Sequence, residues 1–255
     1  MTGRIDVVLV VGGLWHDFDF ARRELLALLA EHDEFRVRCQ ADYEDTTWLE
    51  SGATHYAKIL VTYTCDVRPS DHAQRVIRDW VEGAGRMVAL HGTNSALDLT
   101  PDGWNAIRDI ALWADTLGSQ FIAHPPIAPY TVENVAPDHW LVAGLEAFEA
   151  TDELYLNEYP DRAALTPLLQ TTYQGGARGF IESDWNDTDP THLVMYLRPL
   201  GSGAVLYNTL GHCRGHYDMV PQKDYYPNVD RCSWELPVFY EILRRSLRWA
   251  RGEEG

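Results

Sequence analysis

Short runs of consecutive apolar residues alternate with amphipathic segments in the first half of the chain. Continuous rather than alternating apolarity is typical of strands that are buried on both faces, as in parallel sheets. Three such runs therefore predict strands, namely Ile5–Val11, Lys58–Tyr63 and Arg86–Leu90, and Phe35–Cys39 is a candidate for a further strand between the first two. Apolar residues at helical spacing predict three helices: Phe18–His32, Pro69 to about Glu82, and one that begins at Pro101. This order of elements predicts a doubly wound α/β fold with a mostly parallel sheet flanked by helices.

The second half of the chain is less regular. Five further segments are predicted as strands: Ala128–Val135, Glu153–Leu156, Leu165–Thr172, His192–Leu197 and Ala204–Tyr207. Pro237–Ala250 has apolar residues at helical spacing and predicts a closing helix. No repeat, low-complexity tract or linker interrupts the chain, so a single domain over residues 1–255 is predicted.

Composition and charge narrow the class of protein. The 255 residues are 45% hydrophobic and 23% charged, which is ordinary for a globular protein with a large core. The net charge of -17 disfavours binding to nucleic acid or to an anionic membrane. No apolar stretch is long enough to span a bilayer, and the first residues do not have the pattern of a signal peptide. A cytoplasmic protein is the simplest expectation.

The cysteines and the familiar cofactor motifs exclude several classes of site. Cys39, Cys65, Cys213 and Cys232 are far apart and form no C-x-x-C pair, so neither a disulfide framework nor a zinc knuckle is expected. Cys65 follows a predicted strand and could be a reactive thiol, although a structural role is the simpler interpretation. The chain has no G-x-G-x-x-G fingerprint, P-loop or G-x-S-x-G elbow. No nucleotide cofactor is therefore predicted.

Histidines follow several predicted strands at the point where each strand ends. His16, His91 and His212 follow the first, fourth and last of these strands, and His124 follows the short apolar run Phe121–Ala123. Ligands of open parallel sheets bind beyond the carboxyl ends of the strands. We therefore expect the four imidazoles to line one cleft.

Imidazole serves two kinds of chemistry, and the sequence leaves both open. It transfers protons near neutral pH, which would make His91, His212 and His16 catalytic, with Asp17 beside them. It also binds metals through a neutral nitrogen, and His16, His91, His124 and His212 could then hold a divalent cation. No local signature such as H-E-x-x-H is present. Asp17 has a structural alternative, since it stands where a helix N-cap would accept backbone N–H groups.

A set of short motifs occurs in order along nearly the whole chain. They are Gly12-Gly13 with His16-Asp17, Val81–Gly92, Phe121–Pro125, Asp138-His139 with Gly144-Leu145, Asp152–Tyr155, Tyr207–His212 and Leu247–Gly252. In these motifs the sequence resembles the ThuA-like (trehalose utilisation) family. The resemblance implies a class I glutamine amidotransferase-like fold of the flavodoxin type and a link to sugar catabolism. The chain departs from the family's pattern at Trp140, where proline is usual, and in Asp218–Trp234, which looks like an insertion.

The resemblance also bears on the chemistry. Amidotransferases have a cysteine at the turn after the strand that ends here at Leu90, and His91 occupies that turn. Glutaminase chemistry needs a thiolate there, so that activity is rejected. We expect instead an enzyme that acts on a sugar or keto-sugar by isomerisation, elimination or hydrolysis. The alternative is a non-catalytic sugar-binding or scaffold protein with a degenerate amidotransferase-like site.

A sugar ligand calls for hydrogen-bonding side chains and flat apolar surfaces. The candidates are Asn94, Asn208, His124 and Glu153 for polar contacts, with Glu153 as a secondary carboxylate, and Trp15, Tyr63 and Tyr217 for stacking. Packing roles are equally expected for the aromatic residues. The predicted partner is a small carbohydrate, and a homodimer is the common default for a soluble oligomer.

Asp218–Trp234 is a long polar and aromatic segment that follows His212 closely. It contains Tyr225-Tyr226, and Pro221 and Pro227 restrict its backbone. Long ordered loops in compact domains are often lids or binding loops. We predict that it covers the cleft and contributes a side chain to the ligand pocket. The alternative is packing at a subunit interface.

Overall fold

The computed structural model describes residues 3–182, 189–219, 224 and 226–253. Among these residues the strands are β1 (Ile5–Gly13), β2 (Phe35–Gln40), β3 (Ile59–Cys65), β4 (Arg86–Leu90), β5 (Leu97–Thr100), β6 (Gly103–Ala106), β7 (Gln120–Ala123), β8 (Ala128–Asn134), β9 (Phe148–Asp152), β10 (Leu156–Glu158), β11 (Thr166–Thr172), β12 (Thr191–Leu200) and β13 (Gly203–Asn208). The α-helices are α1 (Phe18–Leu29), α2 (Asp71–Glu82), α3 (Ala111–Leu117) and α4 (Pro237–Ala250). Short 3-10 helices occupy His91–Asn94, Arg162–Ala164 and Cys232–Glu235.

Nine of these strands form one mixed sheet in the order β2-β1-β3-β4-β13-β12-β11-β8-β9. Neighbouring strands run parallel from β2 to β13 and antiparallel from β13 to β9. The parallel half agrees with the prediction, whereas the antiparallel half was not predicted. Leu200 pairs with Gly203 across the two-residue turn Gly201-Ser202, and a connection this short joins only antiparallel strands.

Helices cover both faces of the sheet. Apolar side chains of α1 and α4 join one core cluster with β1, β3 and β4, and those of α2 and α3 join a second cluster on the opposite face. Helix α2 illustrates why a helix forms and packs here. Its N-cap Ser70 accepts the backbone N–H of Ala73, and its buried face carries Ile77 and Trp80. Burying a large apolar side chain stabilises the fold by about 1.5–3 kcal/mol. The helices therefore hold the parallel strands in a fixed arrangement.

The segment around Pro101 differs from the prediction. The sequence predicts a helix there, but β5 and β6 form an antiparallel hairpin, and helix α3 begins only at Ala111. Pro101-Asp102 forms the turn, and Gly103 after it has a φ of 132°. Proline fits both the first turn of a helix and the first central position of a β-turn. The pair Asp102-Gly103 favours a β-hairpin, which agrees with the structure observed here.

The predicted strand Glu153–Leu156 is displaced in the structure. β9 ends at Asp152 and β10 begins at Leu156, so Glu153–Tyr155 is an irregular link between two sheets. β10 pairs with β7 in a separate two-stranded sheet, and β7 was not predicted as a strand. A residue in such a link is free of sheet geometry, which lets Glu153 extend away from the sheet.

Two further predictions concern the membrane and the cysteines. No helix within the described ranges is long and apolar enough to cross a membrane. All four cysteines are unpaired. Burial raises the pKa of the Cys65 thiol well above its usual range. This favours the structural interpretation of Cys65, because only the thiolate is a good nucleophile.

Candidate active site

His91 stands at a strained turn at the carboxyl end of β4. Its φ of 46° is uncommon for a residue other than glycine, and it begins the 3-10 helix His91–Asn94. The next residue must approach β3 closely, because a Cβ at Gly92 would lie 2.6 Å from the backbone O of Thr64. Strain of this kind persists only where the surrounding structure enforces it, and it is common at functional sites. The turn holds a fully buried imidazole beyond the end of the sheet.

His16 and His212 reach the same edge of the sheet from β1 and β13. His16 follows the glycine pair that ends β1, where a Cβ at Gly12 would lie 2.2 Å from the backbone O of Ala41. His212 follows Gly211, whose φ of 116° is unfavourable for other residues. Both imidazoles are buried, since the two residues are 5% and 2% exposed. The parallel strands thus bring together three histidines that are far apart in sequence.

Glu153 completes a compact group with these three histidines. Nε2 of His16 lies 2.9 Å from Nε2 of His91. Oε2 of Glu153 lies 3.5 Å from Nε2 of His91 and 3.4 Å from Nδ1 of His212. One nitrogen or oxygen atom from each of the four side chains lies within 4.8 Å of the others. We call His16, His91, His212 and Glu153 the histidine cluster.

The hydrogen bonds of His16 and His91 indicate which ring nitrogen carries the proton. Nδ1 of His91 lies 2.8 Å from the backbone O of Thr209, and Nδ1 of His16 lies 3.3 Å from the backbone O of Leu14. A carbonyl oxygen only accepts, so each Nδ1 is the donor and each neutral ring has a lone pair at Nε2. The two lone pairs face each other, an arrangement that calls for a proton or a cation between them.

Among the described residues, neither ring nitrogen of His212 has a hydrogen-bond partner, although both nitrogens are buried. Its Nδ1 is near Oε2 of Glu153, but the pair lacks hydrogen-bond geometry. A buried polar atom without a partner is energetically costly. The ring of His212 is therefore available to a ligand or an ion.

The cluster shifts the ionisation of its own members in different directions. Burial, and then the ring of His91, hold the pKa of His16 well below its usual range. Burial opposes ionisation of Glu153, but His124 and His212 outweigh it and hold the pKa of this carboxyl well below its usual range. Burial likewise opposes protonation of His212, but Glu153 outweighs it and raises the pKa of the ring. The site thus combines the anionic carboxylate of Glu153 with the ring of His16, which resists protonation, and the ring of His212, which favours protonation.

Asp152 is a buried residue that sequence reasoning did not single out. Its Oδ1 accepts the backbone N–H of Glu153 at 2.7 Å and of His212 at 3.1 Å. Its Oδ2 accepts the backbone N–H of Gly211 at 2.9 Å and of Ser233 at 3.3 Å. One carboxylate therefore orients two members of the cluster. The motif Asp152–Tyr155 includes this residue. A local sequence pattern, however, cannot predict hydrogen bonds to residues about sixty positions away, such as Gly211 and His212.

Tyr155 is the second residue that the sequence did not identify individually. Its hydroxyl lies 3.3 Å from Nε2 of His91, and the two ring centroids are 4.5 Å apart. Burial raises the pKa of Tyr155 well above its usual range. The phenol is therefore a neutral hydrogen-bond donor beside the cluster.

His124 occupies a different position from the one predicted. Its Nδ1 donates to the backbone O of Pro125 at 2.8 Å, and its Nε2 lies 3.3 Å from Oε1 of Glu153. It is outside the group of atoms that could surround one metal ion, and Glu153 takes the place predicted for it. With its side chain 28% exposed, His124 lies on the solvent side of Glu153.

Asp17 is engaged in structural contacts. Its Oδ1 accepts the backbone N–H of Phe20 at 3.0 Å and caps helix α1, and its Oδ2 lies 2.9 Å from Nη2 of Arg231. Both carboxylate oxygens are thus directed to groups other than the imidazoles. The N-cap alternative describes this residue better than the predicted catalytic role.

The other predicted contact residues differ in how available they are. Asn94 donates through Nδ2 to Ser119 and Asn157. Its Oδ1, and Nδ2 of Asn208, are buried and have no partner within the part of the chain that the structure describes. Their substrate-binding roles stay predictions. The hydroxyl of Tyr63 donates to the backbone O of Gly211 at 2.7 Å, beneath the loop that carries His212. Tyr63 is 1% exposed and supports this loop, and its substrate-binding role stays a prediction.

The segment Asp218–Trp234 is only partly described, since residues 220–223 and Tyr225 lie outside the described residues. At its end, Nε1 of Trp234 donates to the backbone O of Gly211 at 2.7 Å, and Arg231 pairs with Asp17. Tyr217 next to the segment is 77% exposed. These contacts stabilise the loop around His212. That Asp218–Trp234 covers the cleft as a lid stays a prediction.

No curated protein matches the sequence significantly. A ThuA-like protein from Bacteroides uniformis is 13% identical with a TM-score of 0.65, over 100% of this chain and 94% of that one. A second, from Parabacteroides merdae, is 15% identical with a TM-score of 0.62, over 98% and 91%. A β-galactosidase from Rahnella sp. is 12% identical with a TM-score of 0.54, but the match covers only 31% of that chain.

At these identities the solved structures show a shared fold and nothing more. The sequence profile of the ThuA family, described as trehalose utilisation, matches residues 7–225. This span includes all four residues of the histidine cluster. The chain therefore belongs to the ThuA family, whose fold is of the class I glutamine amidotransferase-like type.

Proposed function

We propose that this protein is an enzyme of carbohydrate metabolism that acts on a sugar or keto-sugar at the histidine cluster. The observation that carries the proposal is that four ionisable side chains from separate parts of the chain meet within 4.8 Å in a buried site. Burying such groups together is costly unless each is paired. Clusters of this kind are typical of functional sites. The reaction is a proton-transfer type, such as isomerisation, elimination or hydrolysis.

Two properties of the site support catalysis over passive binding. The ring centroids of His91 and His212 are 5.5 Å apart, so both imidazoles can reach one substrate atom, as acid–base chemistry requires. Tyr155 adds a neutral donor at His91. A binding module would need hydrogen-bonding groups but no such concentration of imidazoles.

The family supports the class of substrate. The description of the ThuA family as trehalose utilisation connects this chain with sugars. The β-galactosidase resemblance adds only the fold, because the identity is 12%. A hydroxyl-rich substrate would also use the partnerless polar atoms of Asn94 and Asn208.

Aromatic side chains next to the cluster suit the apolar face of a sugar ring. Trp15 precedes His16 and contacts Trp104 with ring centroids 5.4 Å apart. The backbone of Phe180 forms an isolated β-bridge with the backbone of Trp104. The ring of Phe180 contacts the ring of His124, with centroids 4.9 Å apart. We call Trp15, Trp104, Phe180 and His124 the aromatic rim. Ligand pockets typically combine such aromatic walls with a few polar groups, and we place the sugar between the rim and Glu153.

Several predictions from the sequence remain proposals. The order β2-β1-β3-β4-β13 of the parallel strands corresponds to the 2-1-3-4-5 order of flavodoxin-type sheets, and we propose that subtype. We also keep the cytoplasmic location and the homodimer as proposals.

The test is turnover of a panel of disaccharides, monosaccharides and their keto derivatives, followed by NMR of the products. We expect His91→Ala to reduce turnover by about 10²–10⁴-fold, the usual contribution of a general acid or base. The matched control is His72→Ala, because that side chain is 64% exposed. Folding of each variant is checked by circular dichroism. Unchanged turnover in a folded His91→Ala protein would contradict the proposal, and binding of a sugar without any turnover would favour the non-catalytic alternative.

A further inference from the structure

We infer that the histidine cluster binds one divalent transition-metal ion. The ligands are Nε2 of His16, Nε2 of His91, one ring nitrogen of His212 and a carboxylate oxygen of Glu153. The inference deepens the proposed function, because it names the ion held at the same site. Metal binding tests this inference, whereas turnover of a sugar tests the proposed function, so either can fail without the other.

The first argument is the orientation of the lone pairs. Nδ1 of His16 and Nδ1 of His91 each donate to a backbone carbonyl, which leaves the two Nε2 lone pairs facing each other at 2.9 Å. A shared proton, or a hydrogen bond from the Tyr155 hydroxyl to Nε2 of His91, would relieve that contact, but either would leave both ring nitrogens of His212 without a partner among the described residues. A metal ion satisfies all three rings and the carboxylate at once.

The second argument is distance. Metal–nitrogen and metal–oxygen bonds of about 2.1 Å place neighbouring donor atoms about 3.0–3.4 Å apart in octahedral or tetrahedral geometry. The cluster has donor separations of 2.9, 3.4 and 3.5 Å. All four donor atoms lie within 4.8 Å of one another, which is close to the separation of about 4.2 Å between opposite donors in octahedral geometry.

The third argument is the set of hydrogen bonds behind the ligands. Metal-binding histidines usually donate their other ring N–H to a carbonyl or carboxylate, which fixes the tautomer. His16 and His91 do so to Leu14 and Thr209. Asp152 holds the backbone on both sides, at Glu153 and at His212. The outer contacts of two of the three rings are therefore already formed, and Asp152 fixes the backbone beside the other two ligands.

The donor set limits the choice of ion. Three imidazoles and one carboxylate suit Zn²⁺, Mn²⁺, Fe²⁺, Co²⁺ or Ni²⁺, whereas Ca²⁺ and Mg²⁺ prefer sites made of oxygen atoms. A six-coordinate ion would keep two positions for water or for oxygen atoms of a substrate. Such an ion would polarise a sugar carbonyl or hydroxyl as a Lewis acid. His91 and His212 would then act on the substrate as ligands of the ion and not as a free acid and base, within the same proposed reaction class.

The experiment measures metal binding by the full-length protein. The purified chain is stripped with a chelator, its folding is confirmed by circular dichroism, and it is titrated separately with Zn²⁺, Mn²⁺, Ni²⁺ and Co²⁺ by calorimetry. The absorption spectrum of the Co²⁺ form reports the coordination number and geometry of the bound ion. We expect one ion per chain. In His16→Ala and His91→Ala we expect affinity to fall by at least about 100-fold, since loss of an outer contact alone costs about 10–100-fold.

Two control variants sharpen the test. His72→Ala, on the surface, should bind as the wild type does. His124→Ala should keep one ion per chain with an affinity loss of no more than about 10-fold, because His124 contacts the far oxygen of Glu153 and is not a ligand. Glu153→Gln replaces the alanine variants if these do not fold, and we expect the same loss of affinity.

The inference is overturned if the folded, stripped wild type binds none of these ions, or if His16→Ala and His91→Ala bind as tightly as the wild type. An ion bound in the cluster of a protein that converts no sugar upholds the metal site and contradicts the proposed function. Full turnover in protein that binds no metal contradicts the metal site and upholds the function.

Discussion

The carboxylate of Asp152 accepts the backbone N–H of His212 at 3.1 Å. These residues belong to the antiparallel and parallel halves of the sheet, at the end of β9 and just beyond β13. The same oxygen accepts the backbone N–H of Glu153. Asp152 thus sets the distance between a carboxylate and an imidazole of the histidine cluster without belonging to the cluster.

Asp152→Asn tests this positioning role. The amide keeps the shape of the side chain but replaces one acceptor oxygen by a donor that faces backbone N–H groups. We expect the free energy of unfolding to fall by about 2–3 kcal/mol, because hydrogen bonds to a buried charge are lost. We also expect metal affinity to fall by about 10–100-fold, as for other contacts behind metal ligands.

Urea denaturation and calorimetric titration measure the two effects of this substitution. Glu149→Gln is the matched control, since it makes the same chemical change at an exposed position of β9, and it should alter neither quantity. A folded Asp152→Asn protein with wild-type metal affinity would show that Asp152 stabilises the fold without positioning the cluster.

Substitutions at Asp17 test whether its carboxylate has a structural or a catalytic role. Asp17→Ala removes the N-cap of α1 and the contact with Arg231, and we expect a loss of about 1–2 kcal/mol in unfolding free energy. Asp17→Asn should recover most of this loss, because asparagine is an equally good N-cap.

Turnover distinguishes the two roles of Asp17. Both variants should retain the turnover of the wild type at a temperature where they are folded. An Asp17→Asn protein of normal stability that loses more than about tenfold in turnover would restore the catalytic assignment, since a general acid or base contributes at least that much.

His192 predicts part of the pH dependence of stability. It is 1% exposed on β12, and its burial lowers the pKa below the usual value of 6.5. The nearby Arg162 lowers the pKa further, whereas contacts with Tyr173 and Asp189 act in the opposite direction. The folded state then binds fewer protons than the unfolded state. The stability from this residue is therefore present above the unfolded pKa and is lost as the pH falls below it.

Urea denaturation at about pH 7.5 and about pH 5.5, on either side of the unfolded pKa of histidine, measures this effect. We expect the wild type to lose stability at the lower pH, and His192→Gln to lose less. His72→Gln is the control, because its side chain is exposed and should not change the pH dependence. An equal loss in wild type and His192→Gln would show that other groups account for the effect.

The sequence by itself determined the parallel half of the fold and three members of the cluster. Continuous apolar runs marked β1, β3 and β4, and the position of His16 and His91 just beyond two of them followed directly. Parallel strands end at one edge, so residues that follow those strands must lie near one another whatever their separation in the chain. This reasoning needs only local patterns, which is why it also found His212.

The tertiary structure decided the fourth member and its neighbours. Glu153 was predicted only as a secondary candidate, and in the structure it lies in the irregular link between β9 and β10 and not in the strand predicted for it. Asp152 and Tyr155 contact the cluster through pairings between distant segments, which leave no local periodicity in the sequence. In the same way, Asp17 could be assigned as an N-cap only once its oxygens had been placed against Phe20 and Arg231. Local propensity determines which elements form, whereas the partners of a polar side chain depend on which segments the packed core brings together.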